Sequence, residues 1–396
     1  MGGKSNMIIG IPKEIMNGES RVSATPETVK MMINDGHQVI VENNAGEGSF
    51  NHDSDYQKAG AELTFDVRSL YNKADIILKV KEPQFNKTLN VHEVDMMHEG
   101  QILITFIHPA APANHQMVND LAKKGVIALT LDGVPRISRA QNMDALSSMS
   151  ACAGYKGMIM AADGLPKFIP MVGSAVGMIK PSNVLVIGAG VAGLRAIATA
   201  KGLGAVVYAT DIRAEALEQA KSLGAKVIDL EIPEKVALSK DGKHANSLPT
   251  NWLKHEKEVL KSFAKEADII FLSALVFGKE APILIDEAMV KEMKPGSYIV
   301  DISIDQGGNC EITDPGAITV KHHVTINGVK NLPGLLATSS TWMFSKNIYN
   351  LLKYLIKDNK LNLDLNDEIV HSILVCHNHK LVHEGTLEAI RLHKER

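Results

Sequence analysis

The sequence predicts an α/β protein: two Rossmann-like parallel-sheet domains flanking a cleft, the first of them discontinuous in sequence. Three observations carry that expectation. Short, wholly apolar runs alternate with helical periods from one end to the other, as strands covered on both faces require. The runs fall into two series, separated by a stretch at 135–180 that is polar at its start and rich in Met and Gly later. A glycine fingerprint, Gly188-Ala-Gly190-Val-Ala-Gly193, heads the second series, directly between an apolar run and a helical period.

In the first series, 7–11 reads as a strand. Thr25-Pro26-Glu27 then opens a helix, with Thr25 as N-cap and Pro26 at its first position. Val29, Met32 and Ile33 supply the apolar stripe, and Gly36 stands where a C-terminal cap belongs. Strands follow at 39–41, 76–78, 102–104 and 126–129. The second series places strands at 184–187, 206–208, 227–228, 269–272 and 299–300, with a helix at 194–200 after the glycines. A long helical pattern from Thr338 to about Ile356 lies too far from the second series to continue it, so it is expected to cross back to the first domain. The expected division is 1–137 plus 337–396 for the first domain and 138–336 for the second. The stretch 231–255, with weak periodicity, reads as a surface loop.

Bulk properties bound the function. A chain of 396 residues suggests two or three domains. Hydrophobic residues at 45% and charged residues at 22% are ordinary globular values, which excludes a disordered or fibrous chain. Lys+Arg 42 against Asp+Glu 45 leaves a net charge of -3, so no global positive field recruits nucleic acid. Cys152, Cys310 and Cys376 are too few and too scattered for a disulfide framework, which fits a reducing cytosol. No stretch reaches the roughly 18 apolar residues of a membrane span, and MGGKSN lacks the apolar core of a secretory signal. A soluble chain is expected. Cys376, His377, His379 and His383 match no standard zinc spacing, so no metal is assigned and an exposed edge strand is the plainer reading.

The fingerprint has a physical logic. Gly188 allows the tight turn, Gly190 lets backbone approach a pyrophosphate, and Gly193 allows close helix–strand packing. The helix N-terminus offers free N–H groups and partial positive charge to phosphates. Asp211, at the end of the next strand, is placed to accept hydrogen bonds from ribose hydroxyls and to repel a 2′-phosphate, which favours NAD(H) over NADP(H). Arg213, two residues on, is a cation that could greet such a phosphate.

Four further residues are expected just past strand ends, where open α/β sheets bind ligands: Arg21, Lys81, His108, and Asp305 ending the strand that holds Asp301. Together they read as a carboxylate-binding cation pair plus a general acid/base for an amino or keto acid. Taken singly, the cations also read as solvated loop charges, and His108 and Asp305 as hydrogen-bonded structural groups. A second polar constellation, Arg136-Ile-Ser-Arg-Ala-Gln-Asn-Met-Asp144, precedes Ser147 and Ser148. At a cleft it could hold a carboxamide or a phosphate; a polar interdomain hinge would look the same.

These segments carry a resemblance. PRISRAQNMDALSS, VLVIGAGVAGLRAIATAKGLGA, ATDIRAEALEQAKSLG and MKPGSYIVDISIDQGGNCE resemble the NAD(H)-binding component of proton-translocating nicotinamide nucleotide transhydrogenases, the leading piece of the alpha subunit in bacteria that split it. The tail LNLDLNDEIVHSILVCHNHKLVHEG resembles that family's terminal hairpin. The resemblance implies a homodimer in complex with a membrane-spanning subunit and an NADP(H)-binding subunit. It also implies a cytoplasmic location, peripheral on the cytoplasmic face of the inner membrane through those partners. Carried over, Arg136, Gln141 and Asp144, with Ser147 close by and Ile137, Ser138 and Arg139 between, orient the dihydronicotinamide. Gly188, Gly190, Val191, Ala192 and Gly193 hold the pyrophosphate, Asp211 with Ile212 and Arg213 the adenosine ribose, and Ala274 and Leu275 the adenine side. Gly242 belongs to a mobile loop over the nucleotide, where Lys243 replaces an expected Tyr. A direct hydride transfer from NADH to NADP+ needs orientation and close approach more than an acid, and Gln141 is the residue expected to reach toward the second nucleotide.

Alanine dehydrogenases are similar too. GIPKE, KVKEP, TF-x-H and D-x-x-IDQGG match that family's pattern, and Arg21, Lys81, His108 and Asp305 fall on its substrate-binding and acid/base positions. RISRAQNMD and NLPGLLATSS depart from it. A non-catalytic NAD sensor on the same fold is the third class.

Overall fold

The structure is a computed structural model that describes residues 7–238, 246–276, 280–357 and 360–395. It divides into two compact units, one of Met1–Met149 with Gly334–Arg396 and one of Ser150–Pro333.

The first unit is built on an eight-stranded sheet. Its order runs Lys380–Leu381, Leu374–His377, Ile127–Thr130, Ile102–Thr105, Ile76–Leu78, Ile8–Ile11, Gln38–Glu42, Glu62–Thr64. All neighbours pair in parallel except the first two strands of that order, which pair antiparallel with each other and onto Ile127–Thr130. Ile76–Leu78 and Ile102–Thr105 are buried at every position, as strands covered on both faces are. The first helix, Pro26–Asn34, starts where expected: Thr25 accepts from the Thr28 N–H while Thr28 Oγ1 accepts from the Thr25 N–H, a reciprocal cap. The late helix Ala337–Leu355 also packs in this unit, with Phe344, Ile348, Leu351, Leu352 and Leu355 buried.

The second unit has a seven-stranded sheet in the order Lys226–Val227, Val206–Thr210, Asn183–Ile187, Ile269–Leu272, Tyr298–Asp301, Val324–Asn327, Ile318–Lys321. Only the last pair is antiparallel. Alternation along one strand divides the core: Val184 and Val186 pack with Ala196, Ile197 and Phe271, whereas Leu185 and Ile187 face Leu260, Ala264 and Leu272 on the other side.

Several expectations need correction. The stretch 135–180, given no elements above, is not without them: it carries a 3-10 segment, Ser138–Met143, a 20-residue helix, Ala145–Gly164, and a hairpin of Val172–Ser174 with Gly177–Ile179. Nor is 231–255 a plain loop, since it holds the helix Glu234–Ala237 and the start of Thr250–Glu266. The tail's edge-strand reading holds only in part. Leu374–His377 lies inside the sheet with Cys376 fully buried, and the outer position falls to Lys380–Leu381. All three cysteines are buried thiols. Among the described residues, no helix is long and apolar enough to cross a membrane.

Candidate functional site

The fingerprint occupies the turn between Asn183–Ile187 and the helix Val191–Gly202. Gly188 has φ +91, and a Cβ there would sit 2.7 Å from the Ser273 backbone. A Cβ on Gly193 would collide with the Gly188 carbonyl. Gly190 is different: a Cβ would meet nothing nearer than Arg213 Nη2 at 3.8 Å, so this face is open. Gly190 is also the N-cap of its helix and supplies no side chain to occupy the first amides. An open backbone face beside uncapped helical N–H groups fits a pyrophosphate.

Asp211 follows the strand Val206–Thr210 and is nearly buried. Its Oδ1 accepts from the Arg213 N–H at 2.9 Å and Nε at 3.0 Å, and its Oδ2 from the Ala189 N–H at 2.8 Å and Arg213 Nη2 at 2.9 Å. The carboxylate therefore ties the glycine turn to the neighbouring strand end.

Sequence reasoning missed what fixes Ala274. The amide of Asn309 donates to the Ala274 and Pro282 carbonyls at 2.8 and 2.9 Å, and its oxygen accepts from the Ala274 N–H at 3.0 Å and Ser303 Oγ at 2.7 Å. Asp301 in turn accepts from the N–H groups of Asn309 and Cys310. Burial raises the Asp301 carboxyl above its usual range, against the pull of those amides. The signal lay in DISIDQGGN, where Gly307 and Gly308 turn the chain back toward its own strand end.

In the first unit, the 3-10 segment Ser138–Met143 buries Ala140 and Met143 and leaves Ser138, Arg139 and Gln141 exposed, with Arg136 exposed and Ile137 half-buried. Asp144 accepts from Ser147 twice, from its N–H at 2.8 Å and from its Oγ at 2.6 Å, at the start of the helix Ala145–Gly164. The Asn142 carbonyl accepts from the side chains of Asn347 and Asn350 at 3.0 and 3.1 Å. Arg139 Nη1 donates to Tyr354 Oη and Asp367 Oδ2, each at 2.8 Å.

Arg21, Lys81 and His108 all belong to this unit; Lys81 and His108 lie three residues past the strand ends Leu78 and Thr105, and Arg21 is farther from its strand. Arg21 lies ten residues beyond Ile11, the end of its strand. It is no solvated loop charge: it is buried and grips Glu19 through Nε at 2.7 Å and Nη2 at 2.5 Å, with Nη1 3.0 Å from the Met149 sulfur. Lys81 is half-buried. Its loop is held from beneath by a buried cluster. Lys79 pairs with Glu93 at 2.9 Å and Glu14 at 3.3 Å, while those carboxylates accept from the N–H groups of Gln84 and Val80.

His108 has φ +47, stacks on Phe106, and places Nδ1 2.7 Å from Asp132 Oδ1. Burial pushes the imidazole down, but the Asp132 carboxylate outweighs it and the pKa ends above the ordinary value. Asp132 escaped the sequence reading because its strand, Ile127–Thr130, is the neighbour of the one carrying His108. Asp305 does not end its strand, which stops at Asp301. It sits in the 3-10 turn Ile304–Gln306 of the second unit, exposed and paired with Lys330 at 3.2 Å. Gly242 and Lys243 lie outside the described residues.

Both units have counterparts among known proteins. Residues 10–153 match the family description "Alanine dehydrogenase/PNT, N-terminal domain" and residues 157–384 "Alanine dehydrogenase/PNT, C-terminal domain". The chain is 42% identical over 380 residues to the first piece of the split NAD(P) transhydrogenase alpha subunit of Rhodospirillum rubrum, covering 95% of this chain and 98% of that one. It is 35% identical over 347 residues to the alanine dehydrogenase of Bacillus subtilis, covering 85% and 82%. The crystal structure of a transhydrogenase from Sinorhizobium meliloti superposes with a TM-score of 0.80 at 34% identity, over 95% of this chain and 99% of that one.

Proposed function

The chain belongs to the alanine dehydrogenase/PNT family, and from that premise we propose that it is the NAD(H)-binding component of a proton-translocating NAD(P) transhydrogenase. Bound NADH would supply the hydride that passes to NADP+ carried by a partner subunit. Gly188, Gly190, Gly193 and the helix amides at Val191 and Ala192 would hold the pyrophosphate; Asp211, with the backbone of Ile212 and Arg213 beside it, the adenosine ribose; Ala274 and Leu275 the adenine side. Arg136, Gln141, Asp144 and Ser147 would orient the nicotinamide.

The observation that carries this reading is Gln141: it is exposed, while the backbone beside it is tied to a buried helix through the Asn142 carbonyl. A group so held can fix the attitude of a reactant without enclosing it, which transfer between two nucleotides requires. A homodimer is part of the proposal. The hairpin Val172–Ser174 with Gly177–Ile179 leaves Met171, Val176 and Met178 largely exposed, an apolar surface that a second copy would cover. A membrane-spanning partner would carry the proton movement, with this chain on the cytoplasmic face of the inner membrane.

The alanine dehydrogenase reading is favoured by one observation, the shared placement of Arg21, Lys81 and His108 in the first unit. A single pair of assays separates the two. The purified chain mixed with an NADP(H)-binding component should transfer hydride between the nucleotides, and the chain alone should not reduce NAD+ with alanine. Robust alanine oxidation by the isolated protein would overturn the proposal.

A further inference from the structure

We infer that Tyr354, Arg139 and Asp367 form a positioning clamp that sets the attitude of Gln141, so that Arg139 acts on the segment's geometry rather than on the nucleotide. This rests on the function proposed above and deepens it.

The helix Ala337–Leu355 presents Asn347, Asn350 and Tyr354 at successive spacings of three and four, a single polar stripe beside its buried apolar face. All three residues reach the 138–143 segment. Asn347 and Asn350 place two donors on one acceptor, the Asn142 carbonyl, immediately after Gln141. One turn further, Tyr354 Oη accepts from Arg139 Nη1 at 2.8 Å and donates to Asp367 Oδ2 at 2.6 Å. Arg139 also reaches Asp367 Oδ2 directly, so three groups close a ring of hydrogen bonds. Gln141 thus stands between two anchored residues, Arg139 and Asn142.

The far end of the clamp is itself fixed. Asp367 Oδ1 caps the helix Glu368–Ile373, accepting from the N–H groups of Ile369 at 2.8 Å and Val370 at 3.3 Å. Burial raises the Asp367 carboxyl, but the bonds from Tyr354, Arg139 and those two amides prevail and leave its pKa at about 2, so its charge is present at any working pH.

Stability alone does not account for this arrangement. Arg139 is half exposed, and an isolated pair of that kind stabilises a fold by little. What the ring does is remove freedom from a six-residue 3-10 segment, a conformation with poorer hydrogen-bond geometry than an α-helix. For a reaction governed by approach, a small displacement of one orienting group is costly in rate and cheap in binding.

The test uses the full chain, alone and mixed with an NADP(H)-binding component. Tyr354→Phe keeps the ring and deletes the hydroxyl. It should slow hydride transfer about tenfold while the NADH Kd stays within about twofold, and Arg139→Ala should do the same. In a Gln141→Ala background, Tyr354→Phe should have no further effect, because the clamp works through Gln141. Unchanged transfer in both single variants, or a full additional loss in the Gln141→Ala background, overturns the inference. Hydrogen exchange on the isolated chain gives an arm independent of activity: the amides of 140–143 should lose protection in Tyr354→Phe, and unchanged protection also overturns the clamp. Should the unaltered chain fail to transfer hydride at all, the proposed function falls, and the exchange arm still decides whether the clamp holds the segment.

Discussion

Arg213 grips both oxygens of the Asp211 carboxylate, Nε on Oδ1 at 3.0 Å and Nη2 on Oδ2 at 2.9 Å. With the N–H groups of Ala189 and Arg213 added, Asp211 accepts four hydrogen bonds. A carboxylate offers about four lone-pair sites. Its capacity is therefore filled by the protein, and three of the four donors belong to Arg213.

In the proposed binding mode, ribose hydroxyls arriving at Asp211 would have to displace the Arg213 side chain while the two backbone donors remain. Arg213→Ala removes that competitor and should tighten NADH binding about threefold to tenfold, the equivalent of one charge-assisted hydrogen bond less the desolvation now avoided. Titration by intrinsic fluorescence or calorimetry checks this; weaker binding would show that Arg213 serves the nucleotide directly.

Asp211→Ala acts in the opposite direction and on two properties at once. It deletes the proposed acceptor for ribose hydroxyls and frees the Arg213 guanidinium, beside the place a 2′-phosphate would take in that binding mode. NADH affinity should fall by about tenfold or more and the preference over NADPH should narrow by more than that, since the repulsive charge goes and an attractive one is released. Unchanged selectivity in paired NADH and NADPH titrations would contradict it.

The glycines should separate folding from binding. A methyl on Gly193 meets the Gly188 carbonyl, so Gly193→Ala should lower thermal stability together with NADH affinity. A methyl on Gly190 meets only Arg213 Nη2 at 3.8 Å, so Gly190→Ala should leave the melting temperature nearly unchanged and weaken NADH by obstructing the pyrophosphate approach. Equal loss of stability in the two variants would refute the distinction.

How far such features can be read from residues depends on what fixes them. Ile269–Leu272 was legible to the residue because burial on both faces leaves an uninterrupted apolar run. The cap at Thr25 was legible because its partner is three residues away. The helix Ala145–Gly164 was not. Small and apolar residues surround it on all sides, and Gly154, where a methyl would strike the Ala192 carbonyl, reads locally as a helix breaker although packing requires it. The helix Thr250–Glu266 was hidden by a start without a side-chain cap. Among the candidate site residues, the positions of Gly188 and Asp211 after their own strands were legible. Asn309 and Asp132 were not, since each acts on a strand end remote in sequence and is brought there only by sheet order.

The last expectation concerns pH. Burial works against the charged form of His108, but Asp132 prevails and the pKa rises above 6.5; in Asp132, burial works upward and His108 prevails, and the pKa falls below 3.8. For the histidine, a folded pKa above the unfolded one means its contribution is complete below about 6.5 and disappears as pH rises through the raised value. For the aspartate, the contribution is present above about 3.8 and disappears as pH falls through the lowered value. The two conditions overlap in mildly acidic solution, so the stability difference between the unaltered chain and His108→Ala should peak near about pH 5 to 6, at roughly 0.5–1 kcal/mol for a partly solvated pair. It should shrink as the imidazole loses its proton at higher pH, where only a hydrogen bond from the neutral imidazole to the Asp132 carboxylate remains. Urea unfolding of both proteins at about pH 5.5 and about pH 9 measures the difference directly, and a gap that widens toward alkaline pH would mean that His108 is held as the neutral base and not as the partner of a charged Asp132.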